Sequence, residues 1–136
     1  MRVFGIGIDV VEVSRIAAAL DRHGESFRAK LFTTAERDYC ESRSNPAPHY
    51  AARFAAKEAI AKALGTGIGS HAAWLDLEIV HNPHGAPHVG LSGAAQSFAH
   101  DHGITEIQIS LTHTQYYAAA NAIAIAAAGS PTPNAE

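Results

Sequence analysis

The chain has one cysteine, Cys40, in 136 residues. A disulfide framework and a cysteine-rich zinc site are therefore excluded, and a reducing cytoplasm is the natural setting. Basic excess is also missing. Lys and Arg total 10 against 13 Asp and Glu, a formal net charge of -3. That balance does not fit a strongly basic nucleic-acid binder. No apolar run approaches the roughly 20 residues of a membrane span. Residues 107 to 135 lack Asp, Glu, Lys and Arg, but Gln108, Ser110, Thr112, His113 and Asn121 interrupt them. Near the start, Asp9 and Glu12 stand where a signal peptide needs uncharged apolar sequence.

What is present suits one domain, over residues 1–128, with a disordered tail at 129–136. The apolar fraction of 47% is ordinary for a globular protein. Residues 2–11 read as a strand that puts Phe4, Ile6, Ile8 and Val10 on one face and Asp9 on the other. Val13, Ile16, Ala17 and Leu20 have helical spacing within 12–23, and Gly24 stops that helix before a short one at Phe27–Leu31. Thr33-Thr34-Ala35-Glu36 is a capping-box pattern opening a helix to Glu41. Residues 43–48 read as a loop because of Pro46 and Pro48. A central helix follows over His49–Leu64, with Gly65 as its stop.

Further on, Leu75–Val80 and His88–Leu91 read as strands around the turn HNPHGAP. Ser92 is positioned to cap a helix to His102. Ile104–Thr112 reads as a strand with Ile107, Ile109 and Leu111 on one face. Residues 117–128 are Ala-rich. A strand is expected there, because a hairpin onto 104–112 would bury Ile123 and Ile125.

The most informative segment is RFAAKEAIAKALGTGI, residues 53–68. Glu58 and Lys62 are four apart and share one helical face, a pair that gives a helix about 0.3–0.5 kcal/mol on its own. Arg53 and Lys57 add two cations, which suit either a polyanion or a solvated face. A second acid, Asp9, lies in GIGIDVVEVSRI. A carboxylate at the end of an apolar strand needs a partner or a metal, or else serves as a helix N-cap or a mate for Arg15. Together, Asp9, Glu58 and Lys62 suit a metal-bound diphosphate.

The GTGIG segment, 65–69, follows a helix and so is a stop and turn rather than a phosphate loop, although it could wall a pocket. His113 could donate to a phosphate or to a neighbouring hydroxyl. His81, His84 and His88 are expected at the surface, without a zinc site. Arg15, Arg22, His23, Arg28 and Lys30 make the first helical region locally basic. That is a docking face for an acidic partner or a plain solvated face.

GIGIDVVEVSRI, RFAAKEAIAKALGTGI, NPHGAP and SLTHTQYYAAANA occur in the order and spacing of bacterial holo-acyl-carrier-protein synthases. The chain resembles that family of small 4′-phosphopantetheinyl transferases from about Arg2 to Ala127. The resemblance implies an α+β fold, with an antiparallel sheet packed against a long central helix and shorter helices, assembled as a homotrimer with sites shared between subunits. It implies transfer of phosphopantetheine from coenzyme A to a serine of an apo acyl carrier protein or carrier domain. Adenosine 3′,5′-bisphosphate would leave. Asp9 and Glu58 match the family's Mg²⁺ ligands, two carboxylates being enough when phosphates and waters complete the shell.

By the same resemblance Lys62 lies near the diphosphate. Glu58 is the candidate base on chemical grounds, acting directly or, better, through a metal-bound water, because a metal-ligated carboxylate is a poor free base. Arg53, Gly65, Gly85, Pro87, His113 and Thr114 contact coenzyme A, the NPHGAP turn approaching it from the neighbouring subunit. Arg15, Arg22 and Arg28 form the carrier-docking surface. The implied setting is cytoplasmic, without membrane or nucleic acid. A CoA- or nucleotide-binding module and a diphosphate hydrolase are the other readings.

Overall fold

The computed structural model describes residues 1–82 and 84–129. The expected disordered tail therefore lies, beyond Gly129, outside the described residues, as does Pro83 of the NPHGAP turn. The elements are β1 (Arg2–Glu12), α1 (Val13–Leu31), α2 (Thr34–Glu41), α3 (Pro46–Leu64), β2 (Leu77–His81), β3 (Pro87–Leu91), α4 (Gly93–Asp101), β4 (Ile104–His113) and β5 (Tyr117–Ala126). Strands β1, β5 and β4 form an antiparallel sheet in that order, and β2 and β3 form a separate hairpin. Helix α3 packs against all three strands of the sheet, and against α1, α2 and β2. This is the expected α+β architecture around a central helix.

Small residues set how closely α3 approaches the sheet. On β5, Ala118, Ala120, Ala122, Ala124 and Ala126 are buried. On the helix, Ala51, Ala52, Ala55, Ala56, Ala59 and Ala63 are buried too. On β1, a Cβ at Gly5 or Gly7 would overlap the carbonyl oxygens of Ala63 and Ala59. Only glycine allows that backbone contact.

The opposite face of the sheet is apolar yet open. Ile6, Ile8 and Val10 are 69%, 65% and 61% exposed. Ile123 and Ile125 pair with Ile6 and Val3 in register and stay half-buried on that side. The expectation that the hairpin would bury them is corrected: their alanine neighbours face the helix instead. Phe4 also departs from its expected face. A register irregularity between Val3 and Gly5 turns it inward, where it is buried and meets Phe98 and His102 edge-on.

Three boundaries differ from the sequence reading. Helix α3 begins at Pro46 rather than His49, since proline in the first turn has no amide hydrogen bond to lose. Helix α1 runs to Leu31 across a kink at Gly24, whose φ of 50° suits glycine. Trp74–Asp76 forms a 3₁₀ turn, so β2 begins at Leu77. The Thr33–Glu36 capping box is present as expected. Among the described residues no helix is long and apolar enough to cross a membrane.

Candidate active site

Asp9 lies on the same face of β1 as Gly7, two residues away, and so points toward α3. The close approach at Gly7 and Ala59 brings Glu58 and Lys62 to it. The Lys62 ammonium donates to the Ile8 carbonyl at 2.9 Å and to Asp9 Oδ1 at 3.3 Å. Half of the Lys62 side chain is exposed, so this bridge is weak and easily re-formed around a ligand. The Glu58 carboxyl is pushed above its ordinary range, first by burial and then by the charge of Asp9, against the opposing pull of Lys62 and Arg15. Two carboxylates are thus crowded enough to repel. A cation between them would relieve that repulsion, and oxygen donors of this kind suit Mg²⁺. Among the described residues no cluster of three or more His, Cys, Asp or Glu could hold a metal by itself.

Arg15 of α1 flanks this group. Its guanidinium lies 5.9 Å from the centre of the Phe54 ring, which stacks on Trp74 at 5.2 Å. Arg22 is exposed on the same helix. Arg28, beyond the Gly24 kink, is engaged by Glu41 at 3.2 Å and lies over Tyr50. The three arginines grouped by the sequence reading therefore sit in three different settings.

Arg53 and Lys57 are not on the side of α3 that carries Glu58 and Lys62. Adjacent helical positions are turned by about 100°, which sends the two cations inward. Lys57 is fully buried and donates to Glu36 at 2.8 Å and to the Trp74 carbonyl at 2.9 Å. The second Glu36 oxygen accepts from the Ile79 amide at 2.8 Å. Neither reading of Lys57, as a polyanion ligand or as part of a solvated face, describes it. Arg53 is 2% exposed and lies 4.2 Å from the centre of the Tyr39 ring. It donates to the His49 carbonyl at 3.4 Å and meets His81 Nδ1 at 3.1 Å. His81 is therefore not a surface residue as expected. It is half-buried, stacked on Tyr39, and oriented by a buried arginine.

His113 and Thr114, at the end of β4, open onto a cleft of about 410 Å³ shared with Arg43, Asn45 and His49. The His113 and His49 rings meet edge to face at 4.9 Å. Sequence reasoning missed Tyr39, Arg43 and His49. One signal was available, because His49 is four residues before Arg53 and so on its face of the helix. Gly65 caps α3 in the left-handed conformation, with φ 81°, and is exposed. Gly85, with φ 87°, and Pro87 lie at the β2–β3 turn, where Asn82 Oδ1 accepts from the amides of His84 and Ala86.

Comparisons with known proteins agree along most of the chain. The family described as the 4′-phosphopantetheinyl transferase superfamily matches residues 5–124. A holo-acyl-carrier-protein synthase of Chlamydia pneumoniae is 44% identical over 126 residues, 93% of this chain and all of its own. The crystal structure of the synthase of that name from Neisseria meningitidis superposes with a TM-score of 0.85 at 30% identity, covering 91% of this chain and 99% of the other. The Helicobacter pylori structure, a complex with coenzyme A, gives 0.79 at 30% identity and covers 88% and 99%.

Proposed function

Because the chain belongs to the 4′-phosphopantetheinyl transferase superfamily, we propose that it is a holo-acyl-carrier-protein synthase. It moves the phosphopantetheine arm of coenzyme A onto a serine of an apo carrier protein or carrier domain. The observation that carries the reading is the grouping of Asp9, Glu58 and Lys62 across β1 and α3. The relatives' names and the bound coenzyme A of the Helicobacter pylori protein point the same way.

In this proposal Asp9 and Glu58 would hold Mg²⁺, with oxygens of the substrate diphosphate and waters available to complete its shell. When bound, the metal neutralises the diphosphate and makes the β-phosphorus more electrophilic. The serine oxygen forms a new bond to that phosphorus as the bond to the bridging oxygen breaks. Adenosine 3′,5′-bisphosphate leaves with the electron pair. Glu58 takes the serine proton, directly or through a water, and the water route suits a carboxylate that also holds the metal, since such a carboxylate is a poor free base. Lys62 gives up its loose contact with Asp9 to stabilise charge on the departing phosphate.

Arg15, beside the Phe54–Trp74 stack, belongs to the docking surface for the acidic carrier, with Arg22 and Arg28 further along α1. His113 and Thr114 contact phosphate groups of coenzyme A, as does Lys62, while Arg53, buried behind His49, adds its positive charge from the wall of the cleft. Gly65, Gly85 and Pro87 line its path. The chain works as a cytoplasmic homotrimer with sites shared between neighbours. The exposed Ile6, Ile8 and Val10 face supports burial against another copy.

Mass spectrometry of an apo carrier protein incubated with this protein, coenzyme A and Mg²⁺ tests the proposal. One phosphopantetheine should be added to the carrier serine, and excess chelator should prevent it. No addition while coenzyme A is bound would favour a binding module. Breakdown of coenzyme A without carrier would favour a hydrolase.

A further inference from the structure

We infer that His49 is a proton-linked binding residue, neutral in the free protein and protonated when a phosphate group of the substrate occupies the cleft it shares with Arg43 and His113. The inference rests on the coenzyme A-using reading above and adds to it one residue and one proton.

The ring of His49 is half-buried at the start of α3, held edge-on by Tyr39 at 5.9 Å and by His113 at 4.9 Å. The titratable and charged groups facing it are Tyr39 of α2, Arg43 of the next loop, Arg53 of α3, His81 of β2 and His113 of β4. None of these is a carboxylic acid. The cleft it opens onto also offers the Thr114 hydroxyl and the Asn45 and Gln115 amides, and among the described residues no Asp or Glu lines it. Behind it lies the buried Arg53. Among the described residues, the partners of Arg53 are a carbonyl, an imidazole and an aromatic face, and its Nε has no partner. Hydrogen-bond donors and positive charge without a counter-charge make an anion site.

Burial, and then the positive charge of His113, Arg43, Arg53 and His81, holds the His49 proton affinity below its ordinary value. A phosphate dianion in the cleft reverses the sign of the local potential. His49 then gains a proton and a charge-assisted hydrogen bond at the same time. His81 does not behave in this way. Its Nδ1 faces the Arg53 guanidinium, which can only donate, so a proton there would abolish the contact. The linkage has one sign: binding takes up a proton, so affinity rises as pH falls from about 8 toward about 6. At about pH 6 the phosphate itself is half protonated, which sets the lower end of that range.

The test is calorimetric titration of coenzyme A with Mg²⁺ into wild type and His49→Gln, from pH 6 to 8, in buffers of different ionisation heat. A fully linked proton steepens affinity by up to about tenfold per pH unit. Wild type should take up protons on binding, and H49Q should take up fewer, with a flatter dependence of Kd on pH. In wild type the His49 ring signal should titrate at higher pH with coenzyme A bound than without it. Equal proton uptake in both proteins and an unshifted ring titration would overturn the inference and leave the transferase reading standing. No binding of coenzyme A to either protein would overturn both.

Discussion

On α3, Lys57 and Lys62 are five residues apart and each meets a carboxylate. The Lys57–Glu36 contact is 2.8 Å long with both side chains fully buried. The Lys62–Asp9 contact is 3.3 Å, with the side chains 50% and 18% exposed. Identical chemistry thus has two consequences, and burial decides which. Glu36 also caps α2 through the Thr33 amide and accepts from Ile79 in β2, so the sealed pair ties three elements together. The open pair costs little to separate, which leaves Asp9 and Lys62 free to rearrange around a ligand.

The sharpest way to break this comparison is to remove one lysine at a time. Lys57→Ala leaves the Glu36 carboxylate buried without its cation and should cost about 3–5 kcal/mol in urea unfolding. Lys62→Ala should change stability by less than about 1 kcal/mol while lowering transfer activity. Equal stability losses in the two variants would erase the distinction.

Gly7→Ala tests how the open pair is assembled. The new Cβ would overlap the Ala59 carbonyl, so β1 and α3 must separate. Overpacking of this kind costs about 1–3 kcal/mol. Transfer activity should fall further than the Gly7→Ala stability loss alone could explain, because Asp9 moves away from Glu58. Full activity with normal stability would mean that the close approach does not position the site.

The smallest expected effect concerns Cys40, which is fully buried on α2, the helix that carries Glu36. Burial pushes its thiol up to about 12, from an ordinary 9.0. The stability this group contributes is complete below its unfolded value. It is lost as pH rises from about 9 toward about 12. At pH 8 a thiol reagent should label the unfolded chain and spare the native one. Rapid native labelling would contradict the burial.

The same contrast explains what could be read from the sequence. Element order, the capping box at Thr33–Glu36 and the placing of Asp9 on the strand face opposite Ile6, Ile8 and Val10 follow from local periodicity and chemistry, and the structure contains them. The Glu58–Lys62 face follows from helical spacing alone. Other features depend on contacts between distant segments. Lys57 reads as a free cation until Glu36, 21 residues away, is placed beside it. The open isoleucine face was misread because alanine, the smaller residue, is buried against a helix that glycines admit to close range. Phe4 turns inward at a strand irregularity that alternation does not encode. The His49–His113 contact joins α3 to β4, so neither segment announces it.

The central claim is that Asp9 and Glu58 are kept for chemistry and not for folding. The most direct measurement is carrier-protein transfer and thermal unfolding side by side for Asp9→Ala, Glu58→Ala and wild type. Transfer should fall by at least about 100-fold in both variants, as expected for loss of a group acting in the transition state. The Tm of Glu58→Ala should equal or exceed that of wild type, because removing one of two crowded carboxylates relieves repulsion. Near-normal transfer, or a lowered Tm that accounts for the lost activity, would contradict the account.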